Sequence, residues 1–248
     1  MKIFNIIFIL ILAVNLAACS TTKYTTVRKS ADFDSILSKS ITVAIVPAKA
    51  EIYSLGAGGG KTKMYEYEDL VENLIPEILA ENLRNKGFRT ISLNPKDIHV
   101  NKLSQSIVLL TENYHQNIDP LYKPQLRTEE ESYNVNVFLD SKLPNINDRV
   151  NADYLVFFDY HASHRNKGAI VKDVIIASLF NTNGEPDPVT LKIAIIDLKN
   201  SQLIWSNWVN VTPEGTPWGL GSFNSSLEVE RKRLDHFIKI ILSSIPNA

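Results

Sequence analysis

Cysteine is almost absent from this sequence of 248 residues, which has one, at position 19. A single cysteine excludes an intramolecular disulfide framework. The sequence also lacks a strong charge of either sign, because 26 lysines and arginines stand against 27 acidic residues and give a formal net charge of −1. This balance, with no basic run, gives no electrostatic basis for binding nucleic acid. Hydrophobic residues make up 44% of the chain, which favours a folded core over disorder.

The N-terminal segment has no apolar run that approaches the roughly 20 residues needed to span a bilayer. Residues 3–14 are apolar except for Asn5, follow a lysine, and lead to the sequence Leu-Ala-Ala-Cys at 16–19. A positive start, a short apolar segment and small residues at its end are typical of a secretory signal peptide. We therefore predict that residues 1–18 are removed on export.

The sequence Leu-Ala-Ala-Cys resembles the lipobox of bacterial lipoproteins, in which the cysteine is acylated and becomes the first residue of the mature protein. The resemblance implies that Cys19 is lipid-modified, that it takes up palmitate, and that it anchors the protein in a membrane. In such lipoproteins an aspartate after the cysteine favours the inner membrane. Ser20 stands there instead, which implies an outer-membrane anchor with the protein facing the periplasm. The polar residues after the cysteine predict a flexible tether over residues 19–40.

The remaining residues, 41–248, are predicted to form one periplasmic domain. A β-branched run at 41–46 indicates a buried strand, and the alternating residues 88–93 indicate another. Between them the spacing predicts a helix whose apolar stripe repeats every three or four residues. Pro76 lies within this stripe, so either the helix kinks there or two helices meet. The stripe consists of Leu70, Val71, Leu74, Ile75, Ile78, Leu79 and Leu83.

The second half of the chain adds a strand at 152–160, a hairpin at 191–211 that should bury Trp205, and an amphipathic helix after Leu227. These patterns predict the α/β class, with a mixed β-sheet packed by helices in an α/β sandwich. Residues 95–150 are predicted to be an irregular insertion.

Four segments carry a likeness to a known group of proteins: residues 41–47, 79–88, 152–158 and 196–205. They resemble envelope lipoproteins that include the curli-secretion lipoprotein and the lipoprotein activators of penicillin-binding proteins. The resemblance covers about half of the mature chain and implies a core similar to the N-terminal domain of TolB. Ser201 stands where this group commonly has glycine, and the insertion has no counterpart in the group.

A glycine-rich segment at residues 56–62 lies within a predicted surface loop over residues 50–63. A phosphate-binding loop needs a glycine six residues before its lysine and a helix directly afterwards. Leu55 stands six residues before Lys61, and the helical pattern begins only near Glu68. We therefore predict a surface loop that binds no nucleotide and that can serve as a contact site.

Asp159, His161 and His164 stand at the end of the predicted strand 152–160. On a strand the first two share a face, and imidazole with carboxylate is suited to zinc binding or acid–base chemistry. No third ligand stands at a diagnostic spacing, and no hydrolase motif occurs. We expect a polar strand end with no metal and no cofactor, and a periplasmic hydrolase using these three residues is the alternative.

Trp218 and Leu220 lie in a segment rich in glycine and proline, which is typical of a loop that presents an interface anchor. The alternative is that Trp218 packs on its own domain. We predict a non-enzymatic factor that binds another envelope protein, or itself, in assembly or in regulating cell-wall synthesis. The likeness to curli secretion also allows a pore-forming oligomer. A membrane barrel needs strictly alternating hairpins, and residues 170–180 do not alternate.

Overall fold

A computed structural model describes most of the predicted domain and part of the segment before it. The residues described are 24–37, 41–46, 49–93, 103–122, 127–128, 137, 150–165, 189–211 and 227–247. No helix within these ranges is both long enough and apolar enough to cross a membrane.

The described residues contain strands, α-helices and one 3₁₀ helix. The strands are β1 (Tyr24–Thr25), β2 (Arg28–Lys29), β3 (Thr42–Ile45), β4 (Lys49–Leu55), β5 (Lys61–Lys63), β6 (Arg89–Ser92), β7 (Arg127–Thr128), β8 (Tyr154–Arg165), β9 (Val189–Asp197) and β10 (Gln202–Val211). The helices are α1 (Phe33–Leu37), α2 (Tyr65–Asn85), α3 (Ser104–Asn117) and α4 (Leu227–Leu242), and the 3₁₀ helix is Asp119–Tyr122. The predicted α/β class is confirmed.

A mixed sheet forms the centre of the domain. Its strands follow the order β2-β10-β9-β8-β3-β6, while β4 pairs with β8 and β5 pairs with β4. The pairs β8–β9 and β9–β10 are antiparallel, whereas β3 and β4 both run parallel to β8. Strands β3 and β6, joined through α2, are parallel, as a βαβ unit requires. The ends of β4, β8 and β10 therefore lie at one end of the sheet, which we call the upper end.

Each face of the sheet has its own apolar core, because side chains alternate along a strand. Val156, Phe158 and Tyr160 of β8 face α2 and α4. Leu155 and Phe157 point the other way and pack against Leu110 and Tyr114 of α3, and the rings of Tyr114 and Phe157 have centroids 4.3 Å apart. Trp205 is fully buried among the residues that face α2 and α4, which confirms its predicted place in the hairpin core.

Helix α2 runs without a break through Pro76. A proline inside a helix removes one backbone hydrogen bond and costs about 3 kcal/mol. Leu74, Ile75, Ile78 and Leu79, on both sides of Pro76, are buried against the sheet. Burying one such side chain contributes about 1.5–3 kcal/mol, so the buried apolar stripe outweighs the cost of the proline. Of the two alternatives, one helix or two helices that meet at Pro76, the structure shows one helix.

The predicted flexible tether over residues 19–40 is wrong for residues 26–36. The backbone N–H of Ser30 donates to the carbonyl of Ile204 at 2.8 Å, and β2 pairs with β10 through Arg28 and Ser206. Phe33 is only 1% exposed and belongs to the core beneath α2 and α4. This segment is polar overall but contains a few apolar residues, and Val27 and Phe33 among them pack into the core.

The predicted loop over residues 50–63 is also wrong, because β4 and β5 form a hairpin there. Helix α2 covers the part of β4 that β5 does not reach. Glu72 accepts the backbone N–H of Ala50 at 2.9 Å, and the buried Glu68 accepts that of Ile52 at 3.0 Å. Two carboxylates one helical turn apart thus satisfy two edge N–H groups that are paired with none of the described strands.

Candidate functional site

The α3 face of the sheet changes from apolar to charged along β8. Leu155 and Phe157 lie beneath α3, and the next two residues on that face are Asp159 and His161. Helix α3 ends at Asn117, and the 3₁₀ helix that follows it brings Asp119 to the upper part of this face. The side chains gathered there form what we call the charged cluster, which consists of Glu51, His115, Asp119, Asp159, His161 and Lys192.

His161 lies between two carboxylates. Its Nε2 atom is 3.0 Å from the Asp159 carboxylate, and its Nδ1 atom is 3.3 Å from Oε2 of Glu51. The parallel register of β4 on β8 sets Glu51 directly beside His161. In the imidazolium form both ring nitrogens carry a proton, so each can donate to the carboxylate that it faces.

Lys192 connects the sheet to the 3₁₀ helix. Its Nζ atom lies 2.6 Å from Oδ1 of Asp119 and 3.8 Å from Oδ2 of Asp159. Asp119 also lies 3.0 Å from Nδ1 of His115 at the end of α3. Lys192 stands opposite Asp159 in the β8–β9 pairing, so the antiparallel register brings these two opposite charges together.

The pKa values of the cluster follow from these contacts. The hydrogen bond to Asp159 raises the pKa of His161, burial opposes this, and the charges of Asp159 and Glu51 reinforce it. Burial alone would raise the pKa of Asp119, but hydrogen bonds from Lys192 and His115 outweigh it and lower that pKa. Both shifts favour the charged form of each group.

An aromatic and cationic border lies beside the charged cluster. The rings of Tyr122 and Trp208 have centroids 5.6 Å apart, and the Tyr122 hydroxyl is hydrogen-bonded to Ser206. The fully buried Arg28 lies 5.3 Å from the Tyr122 ring and donates to the carbonyl of Leu121 at 3.0 Å. These contacts fasten the N-terminal strand β2 to the 3₁₀ helix that carries Asp119.

This geometry is suited to holding charge rather than to moving a proton. A general base must present an unprotonated nitrogen to its substrate, but both nitrogens of His161 face carboxylates that favour the doubly protonated ring. Among the residues that the structure describes, no three histidine, cysteine or acidic side chains are placed to hold one metal ion. The side chain of His161 is 42% exposed and that of Glu51 is 35% exposed, so this end of the cluster is open to a binding partner.

The structure places only some of the residues singled out from the sequence. Asp159 and His161 share a face, as predicted, and the structure also shows a contact of 3.0 Å between their side chains. His164 belongs to β8, but its side chain lies outside the description. Cys19, Trp218 and Leu220 lie outside the described residues altogether.

Glycine-rich residues 56–60 form the turn that joins β4 to β5. This turn connects two strands, whereas a phosphate-binding loop connects a strand to a helix.

Sequence reasoning missed Glu51, Asp119 and Lys192. Lys192 carried a partial signal, because it is a charged residue between the apolar Leu191 and Ile193 of β9. That it lies on the face of Asp159 follows only from the register of β8 and β9. Glu51 was missed because residues 50–63 were predicted to be a loop, whereas Glu51 lies in strand β4. Asp119 reaches the cluster from a 3₁₀ helix 73 residues away from Lys192 in sequence, and no local pattern reports such a contact.

Comparison with known proteins gives matches to solved structures only. No protein-family model and no curated protein sequence matches the chain. The PelC dodecamer from Paraburkholderia phytofirmans is similar at 14% identity and a TM-score of 0.35, covering 84% of this chain and 89% of that one. Lipoprotein GNA1162 from Neisseria meningitidis is similar at 10% identity and a TM-score of 0.32, covering 83% of this chain and 99% of that one.

The LpoB C-terminal domain from Salmonella enterica is similar at 14% identity and a TM-score of 0.27, covering 73% of this chain and 92% of that one. The lipoprotein group expected from the sequence is thus represented among these structures. Every one of these TM-scores is below 0.5.

Proposed function

We propose that this chain is a lipid-anchored protein of the bacterial outer membrane that faces the periplasm and acts by binding another envelope protein or a second copy of itself. The lipobox-like sequence ending at Cys19 supports the anchor. The geometry of His161 carries the non-enzymatic part of the proposal, because its two ring nitrogens face Asp159 at 3.0 Å and Glu51 at 3.3 Å.

The charged cluster is suited to selecting a partner. It presents both signs of charge on one face, held by cross-strand contacts and open at Glu51 and His161. Fixed charges of this kind contribute specificity and association rate more than affinity. We propose that affinity comes from an apolar anchor, for which Trp218 and Leu220 are the nominated residues. The chain enters their segment from the end of β10 at Val211.

The anchor is tested by metabolic labelling with palmitate. Wild-type protein should take up the label and fractionate with outer membranes, whereas Cys19→Ser should do neither. An unlabelled wild type would show that the anchor proposal is wrong.

The proposal that His161 holds charge and does not act as a general base is tested by an NMR titration of the histidines. His161 should titrate above its ordinary pKa of 6.5, because both carboxylates favour the imidazolium form. The variant His161→Gln lacks the His161 resonance, so comparison with the wild-type spectrum assigns that resonance. A pKa below 6.5 would show that the two carboxylates do not outweigh the burial of the ring, and His161 would again be a candidate base.

Partner binding is tested by cross-linking in whole envelopes, followed by affinity capture with the full-length lipoprotein. Trp218→Ala should weaken capture of the specific partner by about 2 kcal/mol or more, which is the hot-spot range, and leave thermal unfolding almost unchanged. If capture is unchanged in Trp218→Ala, the nominated anchor is wrong. If Trp218→Ala instead unfolds the domain, Trp218 is a core residue.

A further inference from the structure

The β4–β5 hairpin joins the sheet through strand β4. Among the described strands, β5 pairs only with β4, and β4 pairs with β8 along its whole length. On the face toward α2, Ala50 and Ile52 of β4 are buried in the apolar core. On the α3 face, the residues of β4 from Lys49 to Leu55 are exposed or half exposed. Polar contacts therefore attach this face of β4 to the sheet.

His161 supplies such a contact, because its ring lies between the two strands. Nδ1 is 3.3 Å from Oε2 of Glu51 on β4, and Nε2 is 3.0 Å from the carboxylate of Asp159 on β8. The imidazolium form has a proton on each nitrogen and donates to both carboxylates. The neutral ring has one proton, so the lone pair of its other nitrogen would face a carboxylate oxygen and be repelled by it.

The charged groups around His161 come from β4, β8, β9 and the end of α3. They are Lys49, Glu51, His115, Asp119, Asp159 and Lys192. Lys192 opposes the proton on His161, but its ammonium group lies 2.6 Å from Asp119 and is partly neutralised there. The hydrogen bond to Asp159 and the charges of Asp159 and Glu51 outweigh both Lys192 and the burial of the ring.

We propose that protonated His161 ties strand β4 to strand β8, and that loss of its proton releases Glu51 and loosens the β4–β5 hairpin. The remaining proton stays on Nε2, because the side chain of Asp159 is only 8% exposed and needs a donor. The side chain of Glu51 is 35% exposed, so water can solvate it once it is released. This inference adds pH regulation to the charged cluster, and it rests on the proposed function for the role of that cluster in selecting a partner. The cluster presents Glu51 as half of an ion pair at low pH and as a released carboxylate at high pH.

The direction of the pH effect follows from the pKa of His161. Its folded pKa lies above the ordinary 6.5, so its contribution to stability is fully present below pH 6.5 and is lost as the pH rises through the folded pKa. A partly exposed ion pair changes an equilibrium by about 1.4- to 5-fold. The opening constant of the hairpin should therefore increase by about that factor between about pH 5.5 and about pH 9.

The experiment is hydrogen–deuterium exchange, followed by mass spectrometry, on the full-length lipidated protein in detergent micelles. Exchange in peptides that contain β4 is divided by the rate for an unstructured chain at the same pH, which gives the opening constant. His161→Gln and Glu51→Gln should abolish the increase with pH, because the first has no proton to lose and the second has no carboxylate to release. Glu112→Gln is the matched control, since Glu112 is exposed on α3, and it should keep the wild-type increase.

The outcomes separate this inference from the proposed function. An increase with pH that persists in Glu51→Gln, or that is absent from the wild type, overturns the link between β4 and β8. If His161 still titrates above 6.5 by NMR, the proposed function is left intact. A pKa of His161 below 6.5 overturns both the link and the proposal that His161 holds charge.

Discussion

Phe33 gives the sharpest test of where the folded domain begins. Its side chain is 1% exposed, although the sequence around it is polar and predicts a tether. Replacing a buried phenylalanine with alanine removes its transfer free energy and leaves a cavity, which together cost about 3–5 kcal/mol. A domain of this size loses about 2–4 °C of melting temperature per kcal/mol. Phe33→Ala should therefore lower the melting temperature by about 6–20 °C.

The assay compares thermal and denaturant unfolding of a soluble form that begins at Ser20. The matched control is Asp34→Ala, because Asp34 is the exposed neighbour of Phe33 in α1, and exposed substitutions usually stay within about 0.5 kcal/mol. If Phe33→Ala unfolds at the same temperature as the control, residues 26–36 are a tether after all. A second soluble form that begins at Ile41 lacks β2 and Phe33 and should be less stable than either point variant.

Two further predictions concern residues of the core and the charged cluster. Trp205→Ala should cost about 3–5 kcal/mol in denaturant unfolding, because Trp205 is fully buried and its indole N–H donates to Ser244 at 3.2 Å; a loss below about 1 kcal/mol would contradict its place in the core. Asp119→Asn should reduce stability at neutral pH by about 1 kcal/mol. Because the folded pKa of Asp119 lies below its ordinary 3.8, its contribution is present above that value and is lost as the pH falls through the folded pKa. The difference between wild type and Asp119→Asn should therefore shrink toward pH 3, and a difference that is constant with pH would refute the ion pair with Lys192.

The sequence alone predicted a helix or strand correctly wherever a single local pattern determines which of its residues are buried. Strand β3 is a short β-branched run, α2 has an apolar stripe over several turns, and residues 189–193 of β9 alternate between apolar and polar, so each is recognisable without its neighbours. Strand β4 was missed because its side chains are mostly half exposed and include charged residues, and because a glycine-rich turn follows it.

The candidate site was likewise predictable from the sequence only in part. The shared face of Asp159 and His161 follows from the two-residue period of a strand. Their contacts with Glu51 and Lys192 depend on which strands pair and in what register, which is tertiary information. Arg28 is the extreme case. Its charge favours a surface position, yet it is fully buried because Leu121 and the Tyr122 ring receive it.

The carboxylates of Glu68 and Glu72 have a consequence for how the chain avoids aggregation. An edge strand with free N–H groups is a template for pairing with another molecule, and chains held on one membrane surface, as proposed here, meet each other often. The two glutamates occupy the N–H groups of Ala50 and Ile52 on β4. These contacts join residues only 22 and 16 positions apart, so they can form early, before the distant strands assemble. The edge of β4 is therefore closed by the helix that follows it in the chain, and a half-folded molecule already denies that edge to its neighbours.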